Sequence, residues 1–281
     1  MPADSNAGAQ SPEHYTVGYG NGIQAWHGQR SAENCAEFLL PHLRTGMNLL
    51  DCGCGPGSIT LGFATLVGSG RVIGIDCQPH QLERASALAV ERSVRNIDFT
   101  AANIYDLPFP DSTFDAVFAH HVLEHLRRPI RALREMRRVL KPGGVIGVRD
   151  PDFGIATWVP STPILEAASK LILRVREEQG GSPFYARNLR YLLGEAGFTS
   201  VEAFAFVEHQ GTTESARAFA HVLAEVLTSP STAAIAISRG WADQAALKIM
   251  TDAVTAWAEE PGAFRAVLDC AAIGWVPSPS D

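Results

Sequence analysis

Chemistry-bearing residues of this chain gather in a few short segments. Asp51-Cys-Gly53-Cys-Gly55-Pro-Gly57 follows a buried-looking apolar run. Gly53 and Gly55 permit a tight turn and a close backbone approach by a ligand, and a helix opening after them presents a positive N-terminus. The spacing is G-x-G-x-G rather than G-x-G-x-x-G, and no G-K-[ST] follows, so a P-loop is excluded. Asp76 ends the next apolar run, and a carboxylate roughly 20 to 25 residues on can accept both hydroxyls of a ribose. Cys77 offers a small apolar group to a flat base, and the Asn103 carbonyl, next to Ile104, can accept from an exocyclic amine. Strand-to-helix punctuation explains a lone glycine turn, and a solvated loop acid explains a lone Asp76. Together, at this spacing, they point to a nucleoside site.

The histidines are the natural proton acceptors, since imidazole titrates near working pH. His120 and His121 follow a fourth apolar run, and His27 lies in a glycine-rich N-terminal stretch with Tyr15, Tyr19 and Trp26. His125, four residues beyond His121, reads as structural. Two histidines at that spacing also admit a metal, but no third ligand stands at a suitable spacing, and no metal site is expected. Tyr15, Tyr19, Trp26, Phe153 and Trp158 could wall an apolar cavity, although core packing explains Phe153 and Trp158 equally well.

These residues need elements to place them. Runs at 47–52, 71–76, 97–102, 114–120 and 144–150 read as strands, with later ones at 200–206 and 264–275. Between them lie helical patterns: one capped by Ser31 and running to Leu43, one over 58–67, one opening at Pro79, and one carrying Ile130, Leu133, Met136 and Leu140 inward. Further helices are expected over 187–197, 212–229 and 240–259, with a partly helical insertion over 151–185. Strands alternating with helices predict an α/β fold: a doubly wound, mainly parallel sheet with helices on both faces.

The 281 residues carry 23 Lys+Arg against 30 Asp+Glu, a net charge of −7, which gives no attraction to a phosphate backbone and argues against nucleic acid. At 46% hydrophobic and 19% charged residues, the chain can build a core. Five cysteines without a C-x-x-C pair fit a reducing cytoplasm. The first residues lack a signal-peptide pattern, and no apolar run reaches the ~20 residues of a membrane span. Without a basic amphipathic helix, no stable membrane association is expected.

LLDCGCGPGSIT, VIGIDCQPHQLERA, NIYDLPFPDSTFDAVFAHHVLEHL and EMRRVLKPGG resemble the successive motifs of class I S-adenosylmethionine-dependent methyltransferases. The likeness is greatest to the small-molecule group related to ubiquinone and menaquinone biosynthesis C-methyltransferases. It covers about residues 45–150 and extends more weakly into YTVGYG, WHGQRSAENCAEFLLPHL, RDPDFGIATWVP and EEQGGSPFYARNLRYLLGEAGF.

The resemblance implies a seven-stranded Rossmann-like methyltransferase fold with S-adenosyl-L-methionine as cofactor. It divides the chain into a tail and lid over 1–45, a cofactor-binding core over 46–150, an insertion over the active site at 151–186, and a completion of the sheet with a helical insertion over 187–281. It implies that Gly53 and Gly55 approach the methionine part of the cofactor, Asp51 orders the turn, and Asp76 holds the ribose. Cys77 flanks the adenine, and Asn103 with Ile104 meets its edge; most relatives carry Asp where Asn103 stands. His120 lies near the sulfonium. The N-terminal positions that close over the cofactor correspond to Tyr19, His27 and Arg30, with Arg30 against the carboxylate; a surface arginine on a first helical turn is the plain alternative. His27, His121 and Tyr19 are the catalytic candidates.

The expected reaction is methyl transfer to a small, largely apolar or aromatic acceptor in specialised metabolism. Carbon methylation of an electron-rich ring such as an indole or quinol comes first, and O-methylation close behind. The alternatives are a nicotinamide-dependent oxidoreductase, disfavoured by the glycine spacing and by the lack of Tyr-x-x-x-Lys, and a non-methylating binder of the same cofactor. A homo-oligomer is compatible with the sequence.

Overall fold

The computed structural model describes residues 30–278. Five strands, β1 (Leu49–Cys52), β2 (Val72–Asp76), β3 (Ile97–Ala101), β4 (Phe114–His120) and β5 (Leu140–Val159), run parallel. β6 (Thr199–Gln210) and β7 (Phe264–Trp275) complete one sheet in the order β3-β2-β1-β4-β5-β7-β6, with β7 antiparallel to both neighbours. This is the expected doubly wound, mainly parallel seven-stranded sheet. The chain order reverses between β1 and β4, the place where an open sheet leaves a crevice beyond its carboxyl ends.

Strands buried on both faces send alternate side chains into different cores. Leu49 of β1 packs with Phe63 and Phe118 on one face, while Leu50 and Cys52 pack with Leu133, Met136 and Val117 on the other. The helices covering these faces are α1 (Ala32–Cys35), α2 (Ser58–Val67), α3 (Pro79–Glu91) and α4 (Pro129–Val139). Ser31 caps α1 as expected, through a reciprocal capping box with Asn34. The helix expected to reach Leu43 stops after one turn, and a separate 3-10 turn covers Leu40–His42. Pro41 lacks the N–H an α-helix needs there, and its ring would meet the carbonyl four residues back.

β5 runs well past the expected 144–150. Its extension pairs with β7 from Ala156↔Val267 to Val159↔Phe264; of the two residues that read as an end to the strand, Pro151 pairs with Asp269 and Gly154 falls inside a register shift between Asp152 and Ala156. The lengthened β5, β6 and β7 carry a helical cap. Here α5 (Pro163–Glu178), and later α7 (Thr213–Thr228), α8 (Pro230–Ser238) and α9 (Gln244–Trp257), share one core of Leu165, Leu171, Val175, Leu227, Leu247 and Trp257. α6 (Leu189–Glu195) stays with the sheet. The segments that read as two insertions therefore build one body. Trp257 Nε1 ties it to the strands by donating to the Val159 carbonyl at 3.0 Å. The helix α8 was not foreseen; its apolar, β-branched PSTAAIAIS lacks a clear period, and Ser229 caps it.

Among the described residues no single helix is long and apolar enough to cross a membrane. α7 and α8 pass as a pair by length and composition, but they bend by 54° where they meet, and their inner side chains lie in the cap core.

Candidate active site

Near the end of β1, Asp51 is 3% exposed and accepts the Thr60 hydroxyl on Oδ2 at 2.6 Å. Burial pushes its carboxyl from an ordinary 3.8 up to about 7; the Thr60 hydrogen bond opposes the rise and nearby Asp76 adds to it. The backbone then turns through three glycines with positive φ, Gly53 (75°), Gly55 (52°) and Gly57 (83°). Their reasons differ. A Cβ on Gly53 would meet Val122 Cγ2 at 2.4 Å, and one on Gly57 would meet Ala85 Cβ at 2.8 Å, so both are needed for close packing. A Cβ on Gly55 would meet nothing within 4 Å. Gly55 therefore opens onto free space, while its neighbours are packed shut. Gly57 is the N-cap of α2 and brings no side chain to the first-turn N–H groups.

Asp76 faces this turn from the end of β2. Its Oδ2 accepts the Gly55 N–H at 3.1 Å and its Oδ1 the Gln78 N–H at 2.9 Å. Burial raises its carboxyl, and these two N–H donors hold it back. Cys77 follows, exposed at the rim. After β3, Asn103 organises its own turn: Oδ1 accepts the Tyr105 N–H at 3.0 Å, and its carbonyl accepts from Asp106 at 3.0 Å. Both oxygens are engaged locally, and Ile104 packs at the edge of the core. Asp51, Gly53, Gly55, Asp76, Cys77, Asn103 and Ile104 thus occupy the strand tips on β1, β2 and β3.

A second group stands at the end of β4. His120 and His121 stack with centroids 4.2 Å apart, and His121 takes φ 54°, uncommon for a residue with a side chain. Arg30 Nη2 lies 3.0 Å from His121 Nδ1. The other ring nitrogen, Nε2, lies 3.7 Å from Asp269 Oδ2, and Glu124 Oε1 is 3.9 Å from Nδ1. His125 is buried with Nε2 3.6 Å from Glu124, in keeping with a structural part. One nitrogen each from His120 and His121 and one oxygen of Asp269 lie within 4.8 Å of one another. That grouping sits between two guanidiniums, Arg30 on His121 and Arg149 on Asp269. Tyr19 and His27, with Tyr15 and Trp26, lie outside the described residues.

The structure adds a buried charged network that the sequence reading missed. Arg149, opposite His120 in the β4–β5 register, donates from Nε to Asp269 Oδ2 at 3.0 Å and from Nη1 to Glu37 at 3.1 Å, with its plane over Phe206. Glu124 pairs with Arg176 of α5, which stacks on Phe153. Burial raises the Glu124 carboxyl, and Arg176 opposes the rise. Further along β7, Arg265 donates to Gln210 Oε1 at 2.9 Å. One signal was available: Arg265 and Asp269 stand four residues apart, an even spacing that puts both charges on one face of an otherwise apolar strand. The space beyond His121 is therefore ringed by charge. Trp158 packs against Trp257 and Phe219 inside the cap instead of walling that space.

Residues 50–148 match a family model described as a methyltransferase domain. Over 146 residues the chain is 44% identical to a probable methyltransferase, ltbC, of Aspergillus luteorubrus, covering 49% of this chain and 51% of that one. Over 178 residues it is 32% identical to the ubiquinone/menaquinone biosynthesis C-methyltransferase UbiE of Cronobacter sakazakii, covering 58% of this chain and 70% of that one. Among solved structures, the [4+2]-cyclase SpnF superposes with a TM-score of 0.50 at 26% identity, over 89% of this chain and 85% of the other. The chain spans about half to two thirds of the length of several curated relatives that it matches.

Proposed function

The chain belongs to the S-adenosylmethionine-dependent methyltransferases, and from that premise we propose that it methylates a carbon of a small, electron-rich aromatic ring, a quinol or indole, in specialised metabolism. One observation carries the reading: the opening at Gly55, flanked by packed Gly53 and Gly57 and faced by the half-buried Asp76, with His121 held at the neighbouring strand tip. These residues fit the cofactor. Gly55 leaves room for close approach, Asp76 offers two carboxylate oxygens to a ribose, and Cys77, Asn103 and Ile104 border the adenine side. When bound, S-adenosylmethionine supplies a methyl group activated by a positively charged sulfur.

His121 is the proposed base. An arginine has only donors, so the Arg30 hydrogen bond requires a lone pair on Nδ1 and keeps the imidazole neutral, with its proton on Nε2 towards Asp269. Its one lone pair is on Nδ1, so it takes the proton that a methylated ring carbon or a ring hydroxyl releases when the acceptor displaces the Arg30 contact. His120 supports the stack beneath it. The parts given to Tyr19 and His27, closing over the cofactor and assisting proton removal, rest on the family resemblance. The charged ring around His121 favours an acceptor with polar substituents, which supports a quinol ahead of an indole. O-methylation is a close second, since the same imidazole suits a phenolic proton.

The test is incubation with methyl-labelled cofactor and a panel of quinols, phenols and indoles, with products identified by mass spectrometry. Label on a ring carbon supports the reading, and label on oxygen selects the second. A different class is favoured by the likeness to the [4+2]-cyclase: cofactor binding without methyl transfer. That outcome would appear as saturable cofactor binding with no labelled product across the panel.

A further inference from the structure

Resting on that methyltransferase reading, we infer that Arg265 anchors a carboxylate on the acceptor, which makes the substrate an aromatic acid. Arg265 is only 5% exposed. Its guanidinium is clamped by the ring of Phe219 at 4.1 Å, from α7 of the cap, with Trp158 at 5.8 Å. No carboxylate oxygen among the described residues lies within 4.0 Å of its nitrogens. Its single hydrogen-bond partner there is Gln210 Oε1, and its Nε, fully covered, has no partner.

A buried cation without a counter-ion is costly, and proteins ordinarily avoid one. Here a counter-ion stands within one residue's reach but is kept off. The Gln210 amide accepts from Arg265 and donates through Nε2 to Glu208 Oε1 at 3.3 Å, so a neutral amide separates the two charges. Burial depresses the guanidinium to about 10, with the Glu208 field only partly offsetting it. An incoming carboxylate would supply the missing charge at the outer, Nη nitrogens of the guanidinium, a geometry that carboxylates favour.

The position matches the reacting end. Arg265 and Asp269 share a face of β7 four residues apart, about 13 Å along the strand at the usual rise, and Asp269 lies 3.7 Å from His121. Glu208 of β6 stands opposite Val267, on the same face of the sheet and between Arg265 and Asp269. A ring held at His121 can extend its acid group along this strand face towards Arg265, whose long side chain spans part of the separation.

The test compares matched probes by calorimetry in the presence of S-adenosylhomocysteine: 2,5-dihydroxybenzoate against hydroquinone, and indole-2-carboxylate against indole. The wild-type chain is expected to bind the acid of at least one pair tenfold or more tightly than its neutral partner. Arg265→Met should bring that ratio to within twofold of one while leaving S-adenosylhomocysteine affinity unchanged. Gln210→Glu, which installs the missing counter-ion and keeps the site folded if Arg265→Met does not, should abolish the preference in the same way. No acid preference in the wild-type chain, or a preference that survives Gln210→Glu, overturns the inference. Because binding is read rather than turnover, failure of methyl transfer would be seen separately, as cofactor binding without product.

Discussion

Arg30 Nη2 sits 3.0 Å from Nδ1 of His121, so a cation at the start of the described chain fixes the tautomer of a histidine at the tip of the fourth strand. The contact joins two candidates that the sequence assigns to different tasks, one to the cofactor and one to the acceptor. Arg30→Met removes the donor, and the ring proton is then free to occupy either nitrogen. Long-range 1H–15N spectra of the imidazole should show the Nε2–H form alone in the wild-type chain and a mixture in the variant.

His121→Gln keeps a polar side chain but loses the base. Turnover on the accepted acceptor should fall by roughly a hundredfold or more, as for a general base, while S-adenosylhomocysteine affinity stays within twofold. Steady-state kinetics alongside calorimetry separates the two effects.

Asp51 makes stability depend on pH. Its folded-state carboxyl, raised from 3.8 to about 7, binds a proton that the unfolded chain has already released. Its contribution is therefore complete below about pH 4 and is lost as pH rises towards 7. Asp51→Asn removes the titration, so the fall in Tm between pH 5 and pH 7 should be shallower in the variant than in the wild-type chain.

The Glu124–Arg176 pair locks the cap to the turn that follows His121. Arg176→Met takes the guanidinium partner from a buried carboxylate and should destabilise the fold by about 3–5 kcal/mol. Adding Glu124→Gln to that variant should recover much of the loss, measured by urea unfolding. Additive losses would mean that the two side chains are energetically independent.

Much of the nucleotide side was legible because local rules determine it. β1, β2 and β4 show as apolar runs, the glycines as punctuation and Asp76 as a strand-end acid, each decided by residues close in sequence. The charged network was hidden because it depends on pairing across long separations. Arg149 meets Asp269, and Arg176 meets Glu124, only once β5 lies against β7 and the cap folds over both. Misread elements had local causes of their own. Pro41 broke a helix that periodicity alone would continue, and β5 kept Pro151 in register and absorbed Gly154 in a bulge inside a strand the two seemed to end. Trp158 reads equally as a cavity wall or as core, and packing against Trp257 decided for core.

Calorimetric titration of S-adenosylhomocysteine into the wild-type chain and into Asp76→Ala asks most directly whether the adenosyl group binds where the glycine turn opens. Saturable wild-type binding that weakens at least a hundredfold in the variant, with an unchanged far-ultraviolet circular dichroism spectrum, is the predicted result. Equal affinity in the two proteins would contradict the account, because the carboxylate assigned to the ribose would then have no part in holding it.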